Sequence, residues 1–149
     1  MYGSLDGVIA IAPAVGSITD DTTPTGVQVD EWLNEGSSLI DGALSGAGYV
    51  VPVARTAAAY PIFRALANLY ATAYTLRARG LDMVQGREES RSETYLKDFF
   101  SRLETLAGQD LTGQGVPLKP SGTASRRGVR SVQLRRVDGF SEDTFGVTE

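Results

Sequence analysis

The chain has 149 residues, 42% of them hydrophobic and 21% charged, with a formal net charge of −4, which suits one globular domain with a core of its own. It contains no cysteine and no histidine, which excludes disulfides, thiolate metal sites, cysteine nucleophiles and the commonest general base. The apolar run from Val8 to Val15 lacks a basic start and falls far short of the ~20 residues that span a bilayer, so a soluble protein with no membrane association is expected.

A short apolar helix is predicted from Ser4, as its cap, to about Ala12, with Pro13 limiting its end. Residues 16–25 are dense in turn formers and read as a loop. From Val27 the pattern turns helical: Val29, Trp32, Leu33, Gly36, Ile40, Ala43 and Leu44 fall on one stripe. Asp30, Glu31, Asn34 and Asp41 lie largely elsewhere. This helix should end at Gly46 or Gly48, where glycine accepts the left-handed cap conformation. Tyr49 to Val53 then runs extended, because the residue before Pro52 avoids helical angles.

The next helical pattern, about Thr56 to Arg79, places Ala59, Ile62, Phe63, Leu66, Tyr70, Ala73 and Leu76 on one face. Arg77 and Arg79 suit the negative end of its dipole. Pro61 inside a helix would delete a backbone bond at about 3 kcal/mol, so the helix is expected to start near Tyr60 with Pro61 in its first turn. Ser90-Arg-Ser-Glu93 is a capping-box pattern, followed by a stripe of Tyr95, Phe99, Leu103 and Leu106 and a stop at Gly108. The fold class is therefore mainly α: a small bundle of three to four helices over residues 1–108, then a long extended arm over 109–149. Within the arm, Val129 to Val137 partly alternates and Asp138-Gly139 is a hairpin-turn dipeptide, so a C-terminal β-hairpin is expected. Alone in water such a hairpin is marginal, and it needs something to pack on.

Charge is segregated along the chain. Residues 1–54 hold seven acids (Asp6, Asp20, Asp21, Asp30, Glu31, Glu35 and Asp41) and no Lys or Arg. Residues 119–137 hold Lys119, Arg126, Arg127, Arg130, Arg135 and Arg136 with no acid. A molecule with an acidic end and a basic end can meet its own copies head to side, a contact that closes into a ring when the rotation permits.

Motifs for chemistry are weak. Residues 108–115 are glycine-rich but follow a helix and lack Gly-Lys-Ser/Thr, so a helix cap plus linker is the better reading. Asp20-Asp21 among threonines lacks the ligand spacing of a cation loop, and no serine has a recognisable base partner. No catalytic residue, cofactor site or metal site is expected. The arginine strip suits a protein surface first and nucleic-acid phosphate second, because the sequence pI of about 4.9 and the acidic residues from Asp138 onward oppose a nucleic-acid face.

The order Val29-Asp-Glu-Trp-Leu33, Ile40-Asp-Gly-Ala-Leu44, Gly48-Tyr-Val-Val-Pro-Val53 and Leu69-Tyr-Ala-Thr-Ala-Tyr-Thr-Leu-Arg77 resembles the head-tail adaptor (head-completion, or connector) proteins of tailed phages. The match covers about residues 26–107. The resemblance implies a helical subunit of a ring, commonly a dodecamer, beneath the portal of a filled capsid. Such a ring extends the DNA channel, joins the capsid to the next neck or tail-completion component, and performs no catalysis. It further implies location in the virion neck, with assembly in the host cytoplasm, and DNA passing through without sequence-specific binding. On this reading Arg126, Arg127, Arg130, Arg135 and Arg136 supply the arm's charged contacts to a neighbouring subunit or portal, with Phe140 and Phe145 as apolar anchors. Asp30, Glu31, Glu35 and Asp41 become candidate channel-lining acids that repel DNA phosphate. A small DNA-binding or packaging accessory protein using the same arginines, and a tail-completion protein, are the alternatives.

Overall fold

The computed structural model describes residues 1–83 and 90–120. It contains four helices: α1 (Leu5–Ile11), α2 (Gly26–Gly46), α3 (Tyr60–Ala78) and α4 (Arg91–Ala107). Single 3-10 turns follow α1 at Pro13–Val15 and α4 at Thr112–Gln114. Among the described residues there is no strand, only one antiparallel bridge between Tyr49 and Leu118. The molecule is mainly helical, as expected. The predicted hairpin and the five arginines fall within 121–149, outside the described residues.

Local chemistry sets the helix starts. Ser4 caps α1 by accepting the Gly7 amide, and Ser90 and Glu93 form the box that opens α4. Thr25 and Gln28 form a second box at the start of α2, a signal legible in Thr25-Gly-Val-Gln28 that the sequence analysis passed over. α3 begins at Tyr60 with Pro61 in its first turn, where the missing N–H has no intrahelical partner to lose.

α3 is the centre of the body. α2, α4 and α1 pack against it, and α2 also touches α4. Every residue from Leu66 to Ala73 is consequently buried, as are Thr75 and Leu76. A helix enclosed in this way must satisfy its own polar groups. Thr72 and Thr75 donate their hydroxyls to the carbonyls of Asn68 and Ala71 at 2.7 and 2.8 Å. The Asn68 side-chain oxygen accepts the Ser4 amide at 2.8 Å. α1 lies close to α3 there: a Cβ on Gly7 would collide with the Asn68 amide, which would have to give way. Fully buried Phe63, Phe99, Leu33, Ile40, Leu44 and Leu66 fill the interior. Ile62, expected on the inward stripe, is 40% exposed because it borders an open groove.

Residues 109–119, grouped with the arm in the sequence reading, lie against the helices. Leu111 and Val116 are fully buried. The Tyr49 hydroxyl donates to the Gln109 carbonyl at 2.8 Å and accepts the Leu111 amide at 3.1 Å. The Val50 amide donates to Pro117 O and the Lys119 amide to Gly48 O, both at 2.8 Å. The segment thus pairs with the connection between α2 and α3. Two isolated apolar residues show no period in sequence, and the backbone pairing leaves no side-chain signature at all.

Candidate interaction surfaces

α2 turns one face outward, and that face is acidic. Asp30, Glu31 and Glu35 are exposed on it, and no Lys or Arg occurs anywhere in the helix. Asp41 is different: it is half-buried and accepts a hydrogen bond from the Tyr2 hydroxyl. That hydroxyl also accepts the Val53 amide at 2.8 Å, and the Tyr2 amide donates to Ser37 Oγ at 2.9 Å. Burial first, and then the bond to Asp41, push the Tyr2 hydroxyl above its ordinary value. Tyr2 therefore keeps its proton and pins the N-terminal segment to α2. Glu35 reaches inward in part, toward the Tyr70 hydroxyl, whose proton is held by burial and by the neighbouring Tyr74 and Glu35. Of the four sequence-selected acids, Asp30 and Glu31 are the two with no such tie described.

At the far end of the bundle a polar clamp joins α3 to α4. Arg77 Nε donates to Ser92 Oγ at 2.7 Å, and its guanidinium lies over the Tyr74 ring, 5.8 Å from the centroid. Asp82 accepts the Ser92 amide at 2.7 Å and stands 3.9 Å from Arg77. Burial by itself would raise the Asp82 carboxyl, but the bonds from Ser92 and Ser90 and the Arg77 charge outweigh it and hold the group below its ordinary range. The carboxylate acts as an extra cap for α4 across the 84–89 connection. The clamp ties the end of α3 to the start of α4 through Arg77 Nε, Ser92 and Asp82, and it works as a joint between the two helices.

The remaining polar motifs are structural. Thr22 Oγ1 bonds the carbonyls of Thr19 and Pro24 beside exposed Asp20 and Asp21. Among the described residues no group of three or more acidic, His or Cys side chains is placed to hold a metal ion. The glycine-rich 108–115 stretch forms a 3-10 turn packed on Ala57 and Ala59, through a Gln114 carbonyl that accepts the Ala59 amide at 3.2 Å. Lys119, counted in the basic strip, places Nζ 2.7 Å from Ser45 Oγ and 3.1 Å from Ser45 O, at the negative end of the α2 dipole. Also among the described residues, no helix is long and apolar enough to cross a membrane.

Two apolar surfaces were not marked by the sequence analysis. One is an apolar ridge on α4 topped by the 52%-exposed Phe100, beside a shallow open hollow lined also by the half-buried Leu96 and by Glu93, Lys97 and Glu104. The other is a groove where α1, α3 and α4 meet, floored by Ile11, Ile62, Ala65 and Leu69 and edged by Asp98 and Arg102. It continues past Ile11 toward Arg91 and Tyr95. The four-residue step from Leu96 to Phe100, beside the Phe99–Leu103 stripe, was the available signal for the ridge. Comparison of the chain with protein families, with curated proteins and with solved structures finds no match in any of the three.

Proposed function

We propose that this chain is a structural head-tail adaptor of a tailed phage: a subunit of a homo-oligomeric ring that sits under the portal, extends the DNA channel and joins the capsid to the neck. The observation that carries the reading is the single-sign face of α2, with exposed Asp30, Glu31 and Glu35 and no base on the helix. Carboxylates along a channel wall repel phosphate and let DNA slide. The adaptor-like motif order supports the same reading, since its segments build α2, the paired 48–53 connection and α3. Asp41 is left out of the channel set, because it is half-buried and engaged by Tyr2, whereas Glu35 stays exposed despite its tie to Tyr70.

The segment from 121 onward, carrying Arg126, Arg127, Arg130, Arg135, Arg136, Phe140 and Phe145, supplies the grip on portal or neighbour. The body ends beside the C-terminus of α2, where Lys119 is fastened, so the arm starts from an anchored point.

The test mixes purified portal with the full chain or with a chain ending at Pro120, and weighs the complexes by native mass spectrometry. Full-length protein should join portals as a multiple of the subunit mass, and the shortened body should stay free. Joining by the shortened body would remove the arm from the proposal. Binding of the full chain to duplex DNA, with the steep salt dependence of phosphate contacts, and none to portal would favour the packaging-accessory alternative instead.

A further inference from the structure

The Phe100 ridge and the Ile62 groove lie on opposite flanks of one helix. At 100° per residue, Glu93, Lys97, Phe100 and Glu104 fall on one side of the buried Phe99–Leu103 stripe of α4, and Arg91, Asp98 and Arg102 on the other. A knob on one flank and a pocket on the other cannot satisfy each other within one molecule. Between copies they make a head-to-tail contact, the kind that propagates and closes into a ring.

The charges around the two surfaces are complementary in the same sense. Glu93 and Glu104 border the ridge. Arg102 borders the groove and Arg91 its continuation. The two acids stand as far apart along α4 as the two arginines do, so α4 helices laid side by side in parallel bring both acid–base pairs into line in one register. In that register Phe100 comes level with Asp98 at the edge of the groove, whose own bond to Arg102 at 2.7 Å already orders that edge. An isologous, antiparallel pairing of the ridge with itself would instead bury Phe100 on Phe100 and leave the groove empty.

We propose that copies of this chain join through α4, the Leu96–Phe100 ridge of one seated in the Ile11–Ile62–Leu69 groove of the next, with Glu93 and Glu104 facing Arg91 and Arg102. The aromatic knob supplies the affinity and the exposed charges set the register, since surface ion pairs contribute little energy but penalise misalignment. No residue bordering ridge or groove belongs to α2, so the contact leaves the acidic face open. The inference rests on the self-association contained in the adaptor reading and names the surface that would carry it.

The absence of cysteine in the chain makes a direct test available. The full chain carrying both Glu104→Cys and Arg102→Cys, the facing positions that leave Phe100 and Ile62 in place, should give a ladder of covalent multimers on mild oxidation, and an equimolar mixture of the two single variants should give a dimer and nothing larger. Both positions are exposed, so circular dichroism and thermal melting should match the parent. A dimer formed by Glu104→Cys alone would indicate a two-fold contact, and no cross-link in the mixture would mean that the surfaces do not meet; either overturns the proposal. Phe100→Asp should weaken self-association at least about tenfold in sedimentation, as expected for an aromatic anchor. Glu104→Arg should weaken it by about two- to fivefold, with Arg102→Glu in the same chain restoring it; failure to restore would refute the register. A failed ladder in a protein that still joins portals would sink the contact alone. A ladder in a protein that ignores portals would instead sink the adaptor reading.

Discussion

α3 and α4 are of similar length, 19 and 17 residues, yet one is enclosed and the other is half-open. α3 is surrounded by three helices and meets the demand with small residues, Ala67, Ala71 and Ala73, and with polar groups that bond along their own helix. α4 buries a single stripe, with Leu96 half-buried beside it, and carries a further large aromatic, Phe100, that the described body leaves 52% exposed. Adjacent phenylalanines show the contrast at its sharpest: Phe99 is fully buried against Tyr70, while Phe100 stands half in solvent. A central helix spends its surface on the fold, and a peripheral one has surface left for a partner.

The largest effect that would test this contrast is at Phe99. Phe99→Ala should lower unfolding free energy by about 3–5 kcal/mol, read by urea denaturation; a change below 1 kcal/mol would mean that the Tyr70–Phe99 contact is not core. Leu111→Ala should cost about 2–4 kcal/mol, a loss that a residue on a free arm would not show, and so reports whether 109–119 belongs to the body. Gly7→Ala forces its methyl onto Asn68 and should cost about 1–3 kcal/mol; an unchanged midpoint would show that α1 can back away from α3.

A smaller effect is expected at the α3–α4 clamp. The Asp82 carboxyl is held below its ordinary value of 3.8, so the folded state binds fewer protons there than the unfolded state. Its stabilisation is complete above that value and drains as pH falls below it through the folded-state value. Asp82→Asn should flatten the acid limb of a stability–pH curve in that window and leave the slope near neutrality alone; a parent-like acid limb would dissociate the clamp from stability. Least of all, Phe100→Ser should change the stability of the monomer by no more than about 0.5 kcal/mol. A large loss there would show the ridge to be part of the core, and the contrast between the two helices would fail.

Much of the helical body was legible in the sequence because its signals are short-range. Ser4, Pro61, and Ser90 with Glu93 act within one turn, and the stripes of α2 and α4 repeat at the helical period. The acidic face of α2 was legible too, as a run of residues without a base. Neither the return of Leu111 and Val116 nor the capture of Asp41 by Tyr2 could be read in this way. The first depends on backbone pairing with a connection some sixty residues distant, and the second on an N-terminal residue folding over α2.

What the chain order determined by itself is where helices begin, where they stop and which stripe of each is apolar, since caps and periodicity involve neighbours a turn or two apart. Which stripes are covered was decided only in three dimensions. Asn68, Thr72 and Thr75 are buried because α1, α2 and α4 enclose α3, and Phe100 is exposed because no element of the described body comes to cover it. Burial is a property of the partners a surface finds, and a single strip of sequence does not contain its partners.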